Sequence, residues 1–151
     1  MDIEIRQAEE SDADCVSRLI LDMAKFFLSD PSAKESQPFL TTVTPQAVAE
    51  RISALNFRCY VAEDAVGICG FAALRDDSHL YHLFVSSRSH RQGVARALWQ
   101  HAKARSCSSS FTVNSSLFAV PVYERLGFVA TATPQSKDGL EFVPMVYPHG
   151  S

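Results

Sequence analysis

A mixed α/β fold, an α+β arrangement on one mixed sheet, is what the chain predicts, and three observations predict it. Three apolar, β-rich runs follow one another between residues 57 and 85 with short turns between them, which makes them neighbours in one sheet. Residues 80 to 105 pass from a strand through a polar loop into a helical pattern, and a helix crossover joins parallel strands. Strand and helix patterns then alternate to the end of the chain, giving the order β-α-α-β-β-β-α-β-α-β-β.

Each element has its own justification. IEIRQA alternates apolar and polar residues, the period of a half-buried strand. Ser11 precedes Val16, Leu19, Ile20, Met23 and Phe27 at helical spacing. Residues 29 to 44 carry two prolines and no clean period, so a long loop is expected there. Thr44 before Pro45 is a cap followed by a first-turn proline, and Val48, Ile52 and Leu55 give that helix an apolar stripe ending near Asn56. FRCYVAE and VGICGFAALR form a hairpin turning around Asp64 and Ala65, with a bulge suggested at Gly70, and HLYHLFV follows. Beyond the junction come a helix with Val94, Ala97, Leu98 and His101 on one face, the strand FTVN, and a short helix started by Ser116 and ended by Gly127. FVATAT and LEFVPMVY around KDG read as a closing hairpin.

With 46% apolar and 21% charged residues in 151, the composition is that of one soluble globular domain spanning 1–151. A net charge of −3 offers no overall basic field for a nucleic-acid backbone. The amino terminus is acidic where a signal peptide would be basic, and no run approaches membrane-spanning length, so a cytoplasmic protein without a membrane partner is expected. Cys15, Cys59, Cys69 and Cys107 lack C-x-x-C spacing and the five histidines form no ligand cluster, so neither a metal nor a disulfide framework is expected. Nothing in the sequence decides the oligomeric state; a homodimer is left open.

The stretch HLFVSSRSHRQGVARALW concentrates the chemistry. A helix amino terminus leaves backbone N–H groups unpaired and carries about half a positive charge, which suits a pyrophosphate. Gly93 would let a ligand approach the backbone, Ala95 keeps the next position small, and Arg88, Arg91 and Arg96 add attraction. Alone the pattern is weak: glycine at ~7% and glycine or alanine at roughly 15% give one chance Gly-x-[Gly/Ala] in about a hundred positions. A small-residue helix start packed on the sheet would look the same.

Context separates the two. V-x-x-x-x-H-R-Q-G-V-A-x-x-L, followed about thirty residues later by A-V-P-V-Y-E-R-L-G-F, resembles the GNAT superfamily of acyl-CoA-dependent N-acetyltransferases, and the element order from Ile3 to Val146 is similar as well. The resemblance implies acetyl-CoA as cosubstrate, cradled by the loop His90, Arg91, Gln92, Gly93, Val94, Ala95 and Arg96, with His90 standing where the family has Gln or Arg. It implies a fourth strand splayed from its parallel neighbour, whose Leu83, Phe84 and Val85 pair through the main chain with the pantetheine arm, and a further contact from Asn114 or Ser116.

The implied reaction is direct transfer of an acetyl group to a primary amine of a small molecule or peptide. Tyr123 stands where the family places a tyrosine beside the thioester sulfur; protonated at neutral pH, it would be the general acid, although Val120, Tyr123 and Leu126 also fit a core stripe. A backbone N–H near Leu83 or Phe84, freed by a bulge, would meet the oxyanion. His79 or His82 could act as base, with water the rival; strict strand alternation would place the two on opposite faces. Phe26, Phe27, Phe39 and Glu141 are expected to line the acceptor groove. The alternative in another class is an acyl-CoA-binding sensor without turnover.

Overall fold

The computed structural model describes residues 2–28, 30–90, 92–137 and 140–148. In chain order the elements are β1 (Glu4–Gln7), α1 (Ala13–Met23), α2 (Gln37–Leu40), α3 (Pro45–Ser53), β2 (Phe57–Glu63), β3 (Ile68–Arg75), β4 (His79–Val85), α4 (Val94–Arg105), β5 (Phe111–Ser116), α5 (Val120–Leu126), β6 (Val129–Ala130), β7 (Gln135–Lys137) and β8 (Leu140–Tyr147). The sheet runs β1-β2-β3-β4-β5-β8-β6, with β7 also on β8. All pairings are antiparallel except β4 with β5, as a helical crossover requires.

The mixed sheet agrees with the sequence reading and the element order differs twice: the closing hairpin has three strands, FVATAT keeping only β6 while β7 turns into β8, and the expected loop before α3 is partly helical. The expected loop of residues 29 to 44 contains α2 between two 3-10 turns, Lys34–Ser36 and Thr41–Val43. Each piece is a single turn, too short to show a 3.6-residue period, and Pro38 occupies a first-turn position where its missing N–H costs nothing. Ser11 lies inside a 3-10 turn whose cap is Glu9, boxed with Asp12. Thr44 caps α3 as expected, accepting from Ala47 N–H at 3.1 Å.

Apolar side chains divide between the two sheet faces. On one, Val16, Ile20 and Met23 of α1 and Val48 of α3 cover Val61, Phe71 and Ala73. On the other, Leu98, Trp99 and Ala102 of α4 and Tyr123 and Leu126 of α5 cover Leu74, Leu80 and Val113. Gly70 brings α4 in close: a Cβ there would sit 2.8 Å from Leu98 Cδ1. Cys69, beside Gly70, is the extra residue of a bulge between Ile68 and Gly70 opposite β2.

Two irregularities shape the centre of the sheet. The parallel pairing of β4 and β5 covers only His79↔Thr112 and Leu80↔Val113, after which the strands part. On the other edge of β4 the register with β3 jumps from Ala73↔His82 to Leu74↔Leu80, so Tyr81 is an inserted residue.

Candidate active site

Parting of β4 from β5 opens a cleft of about 1180 Å³. It is lined from the α1 face by Phe27, Phe39 and His79 and from the α5 face by Val122 and Tyr123, so it passes through the sheet. Its upper rim is the start of α4.

The main chain of β4 supplies the first set of polar groups. Ser86 N–H donates to the Cys69 carbonyl at 2.8 Å, which fixes the alternation: Ser86 and Phe84 face β3, while Leu83 and Val85 turn their N–H and C=O toward the gap. The Val85 carbonyl accepts from His90 Nε2 at 2.9 Å, leaving the Leu83 N–H and C=O and the Val85 N–H facing the cleft. Phe84, grouped with them from sequence, commits its backbone to β3 and its ring to Phe27, 5.6 Å away. The bulge expected near Leu83 or Phe84 is at Tyr81; those groups are free because β5 has parted, not because the ladder to β3 is broken.

The second set comes from α4. Gly93 is the cap residue at φ +79°, a left-handed conformation that costs glycine little. The first intrahelical bond runs from Ala97 N–H to the Gly93 carbonyl at 3.0 Å, so the N–H groups of Val94, Ala95 and Arg96 are unpaired by the helix, and no side chain of the described residues caps it. A Cβ on Gly93 would meet nothing within 4 Å, so the space above this end is open. The arginines are less available than their spacing suggests: Arg88 is bound by Asp64, and Arg96 Nη2 donates to the Arg125 carbonyl at 2.9 Å. Gln92 is exposed, its amide 3.5 Å from the Arg88 carbonyl. Arg91 lies outside the described residues.

Asn114 is exposed on β5, and Ser116 ends that strand with its Oγ accepting from Ala119 N–H at 3.2 Å; both line the cleft. That bond caps a turn over residues 117–119, and α5 itself begins after Ala119. Tyr123 is 6% exposed, and among the described residues no hydrogen bond occupies its hydroxyl. Burial raises its pKa above the ordinary phenol value, so it stays protonated through neutral pH.

Inserting Tyr81 cancels strand alternation. His79, Tyr81 and His82 all lie on the α1 face, with ring centroids 6.5 Å and 4.5 Å apart in sequence, contrary to the opposite faces expected for the two histidines. They are not equivalent. His82 is buried against Phe71 and its Nε2 lies 3.3 Å from Arg51 Nη1; a guanidinium only donates, so Nε2 accepts and the ring is neutral. Burial first, then the Arg51 charge, push its pKa down to about 3. His79 is half-buried, with Nδ1 2.8 Å from Thr112 Oγ1, and burial and Arg75 lower its pKa more gently.

Phe26, Phe27 and Phe39 line the α1 side, Phe26 stacked on Phe118 at 4.9 Å and Phe27 edge-on to Phe39 at 5.3 Å. Glu141 also lines the cleft, but its cross-strand partner is Ser136 and it shares a strand face with Val143, on the α5 side. Sequence reasoning did not find Tyr81, Arg75 or Lys137, which also line the cleft. The bulge that turns Tyr81 inward leaves no periodic trace in HLYHLFV.

Among the described residues, no group of three His, Cys, Asp or Glu side chains could hold a metal ion. Among the described residues, no helix is long and apolar enough to cross a membrane.

The acetyltransferase (GNAT) domain family model matches residues 27–148. No curated protein sequence matches the chain. Among solved structures, the fold superposes on a GCN5-related N-acetyltransferase from Rhodopseudomonas palustris with a TM-score of 0.76 at 22% identity, over 97% of this chain and 95% of that one. It superposes on the PaiA N-acetyltransferase from Thermoplasma acidophilum, solved with coenzyme A, with a TM-score of 0.77 at 16% identity, over 96% and 98%. A third likeness is to yncA from Salmonella typhimurium, solved with its cofactor acetyl-CoA, with a TM-score of 0.65 at 18% identity, over 97% and 93%.

Proposed function

The chain belongs to the GNAT acetyltransferase domain family, an acyltransferase family, and from that premise we propose that it moves an acetyl group from acetyl-CoA directly to a primary amine of a small molecule or peptide. The observation that carries the reading is the coincidence, at one cleft, of unpaired N–H groups on α4 with an unpaired strand edge on β4.

The residues present fit the carrier. Val94, Ala95 and Arg96 offer backbone donors and a helix dipole to a diphosphate, and Gly93 keeps the approach open. Leu83 and Val85 offer amide groups at strand spacing to an arm that itself contains amides, which is strand addition by a ligand. Asn114 and Ser116 border the same path.

Acetyl-CoA supplies an acyl group activated as a thioester. An N–C bond forms as the C–S bond breaks, so the amine must lose a proton and the departing sulfur must gain one. Tyr123, protonated and without a competing hydrogen bond among the described residues, donates to the sulfur. A backbone N–H of the free β4 edge faces the charge that develops on the thioester oxygen. His82 is committed to Arg51, so the amine proton passes to His79 or through water to solvent.

The test is a screen of amines, amino acids and peptides for acetyl-CoA-dependent thiol release. Acetylated product with any acceptor supports the reading. Tight acetyl-CoA binding with no product from any acceptor would favour a sensor module instead.

A further inference from the structure

We infer that the acceptor is an amine that also carries a carboxylate on a largely apolar body, with a free apolar amino acid as the simplest case; this rests on the acyl-transfer reading above. The reason is the distribution of charge between the two faces of the cleft. Glu141 is the single carboxylate among the described residues that line it, and strand alternation places it on the α5 face with Val143.

The α1 face, where the groove between α1, α2 and β4 would receive an acceptor, carries cations alone. Arg75 follows Phe71 and Ala73 on that side of β3 and lies 5.4 Å from the Tyr81 ring; its ion-pair partner among the described residues is the exposed Asp76, 3.8 Å away. Lys137 pairs with Leu140, so it alternates with Glu141 and lies on the same side as Phe142 and Ser116. Behind them Arg51, 5.1 Å from Tyr81, donates to Thr42 and His82 and has no carboxylate partner among the described residues.

Otherwise that face is lined by the apolar Met23, Phe27, Phe39 and Phe84, beside the rings of His79, Tyr81 and His82 and the side chain of Thr42. A polyamine would therefore bring extra positive charge to a wall that repels it and leaves its ammonium groups unpaired. A carboxylate would meet a cationic side chain at either end of this face, Arg75 level with His79 or Lys137 beyond Phe142, while an apolar side chain fills the phenylalanine-lined wall.

Four acceptors isolate the effect: phenylalanine, phenylalanine amide, 2-phenylethylamine and spermidine. The expected result is a kcat/KM for phenylalanine at least about tenfold above each of the others, carried mainly by KM. In the double variant Arg75→Gln, Lys137→Gln this advantage should collapse to about twofold or less, with the fold verified by thermal unfolding. Equal or better acetylation of 2-phenylethylamine or spermidine by the native protein would overturn the inference and leave the acyl-transfer reading standing. Calorimetry of the same four compounds into CoA-loaded protein separates the two. Preferential binding of phenylalanine without transfer to any amine would overturn acyl transfer and retain the charge selection. An advantage that persists undiminished in the double variant would also overturn it.

Discussion

At the scale of single residues, environment rather than identity divides the titratable groups of the cleft. Tyr123 and His82 are both buried, and burial disfavours the charged form of each: the phenol keeps its proton and the imidazole refuses one. Tyr123→Phe should lower kcat by about two orders of magnitude, within the usual span of general acid catalysis, and leave acetyl-CoA affinity nearly unchanged. Steady-state kinetics beside calorimetry checks it, and undiminished turnover would remove the phenol from its role. For His82 the consequence is in stability. Its folded pKa of about 3 lies below the ordinary value of 6.5, so between those pH values the unfolded chain binds more protons and stability falls as pH falls. The loss approaches about 1.4 kcal/mol per pH unit below 6.5. Urea midpoints followed by the fluorescence of Trp99, the one tryptophan, should show this acid limb in the native protein and a flatter one in His82→Gln, whose amide can still accept from Arg51. Identical limbs would mean that His82 does not control acid unfolding. Asp12, whose carboxyl is held below its usual range chiefly by its hydrogen bonds from Arg6, contributes separately and only at lower pH.

At the scale of elements, the strands and long helices were legible because each buries one face: α1 shows Val16, Leu19, Ile20 and Met23 at helical spacing, and β2 and β4 begin and end where their apolar runs do. What could not be read were departures from period. α2 and its flanking turns are too short to repeat, and the Tyr81 insertion obeys no alternation, yet it decides that His79 and His82 share a face. The start of α4 was legible as a helix end, a glycine before small residues, but the sequence could not show that Arg88 and Arg96 are spent on Asp64 and the Arg125 carbonyl. In the proposed reading the diphosphate grip thus falls mainly to backbone donors, which a side chain at residue 93 would obstruct. Gly93→Glu should abolish acetyl-CoA binding by bulk and repulsion, because the residue stands at the free helix end. Gly93→Ala should retain measurable binding, its cost being left-handed strain of roughly 1–2 kcal/mol, since a Cβ there meets no neighbour. Calorimetry on both variants is decisive: normal affinity in Gly93→Glu would reject the cradle.

At the scale of the whole molecule, the two halves of the sheet are joined at the centre by two residue pairs between β4 and β5, and the rest of that seam is open. A ligand that pairs with the free edge of β4 and with the end of α4 bridges this seam, and it does so only in the folded state. Mass action then makes it a stabiliser: at a free concentration of 100 Kd the gain is about 2.7 kcal/mol. For a chain of this size each kcal/mol is worth about 2–4 °C, so acetyl-CoA should raise Tm by roughly 5–11 °C. Acetyl-pantetheine, which keeps the amide arm and thioester but lacks the diphosphate, should give a much smaller shift at the same concentration, because the donors of Val94, Ala95 and Arg96 stay unpaired. In Gly93→Glu the shift with acetyl-CoA should vanish while the protein alone still unfolds cooperatively. Equal shifts from acetyl-CoA and acetyl-pantetheine would mean that the strand edge holds the carrier and the helix end does not.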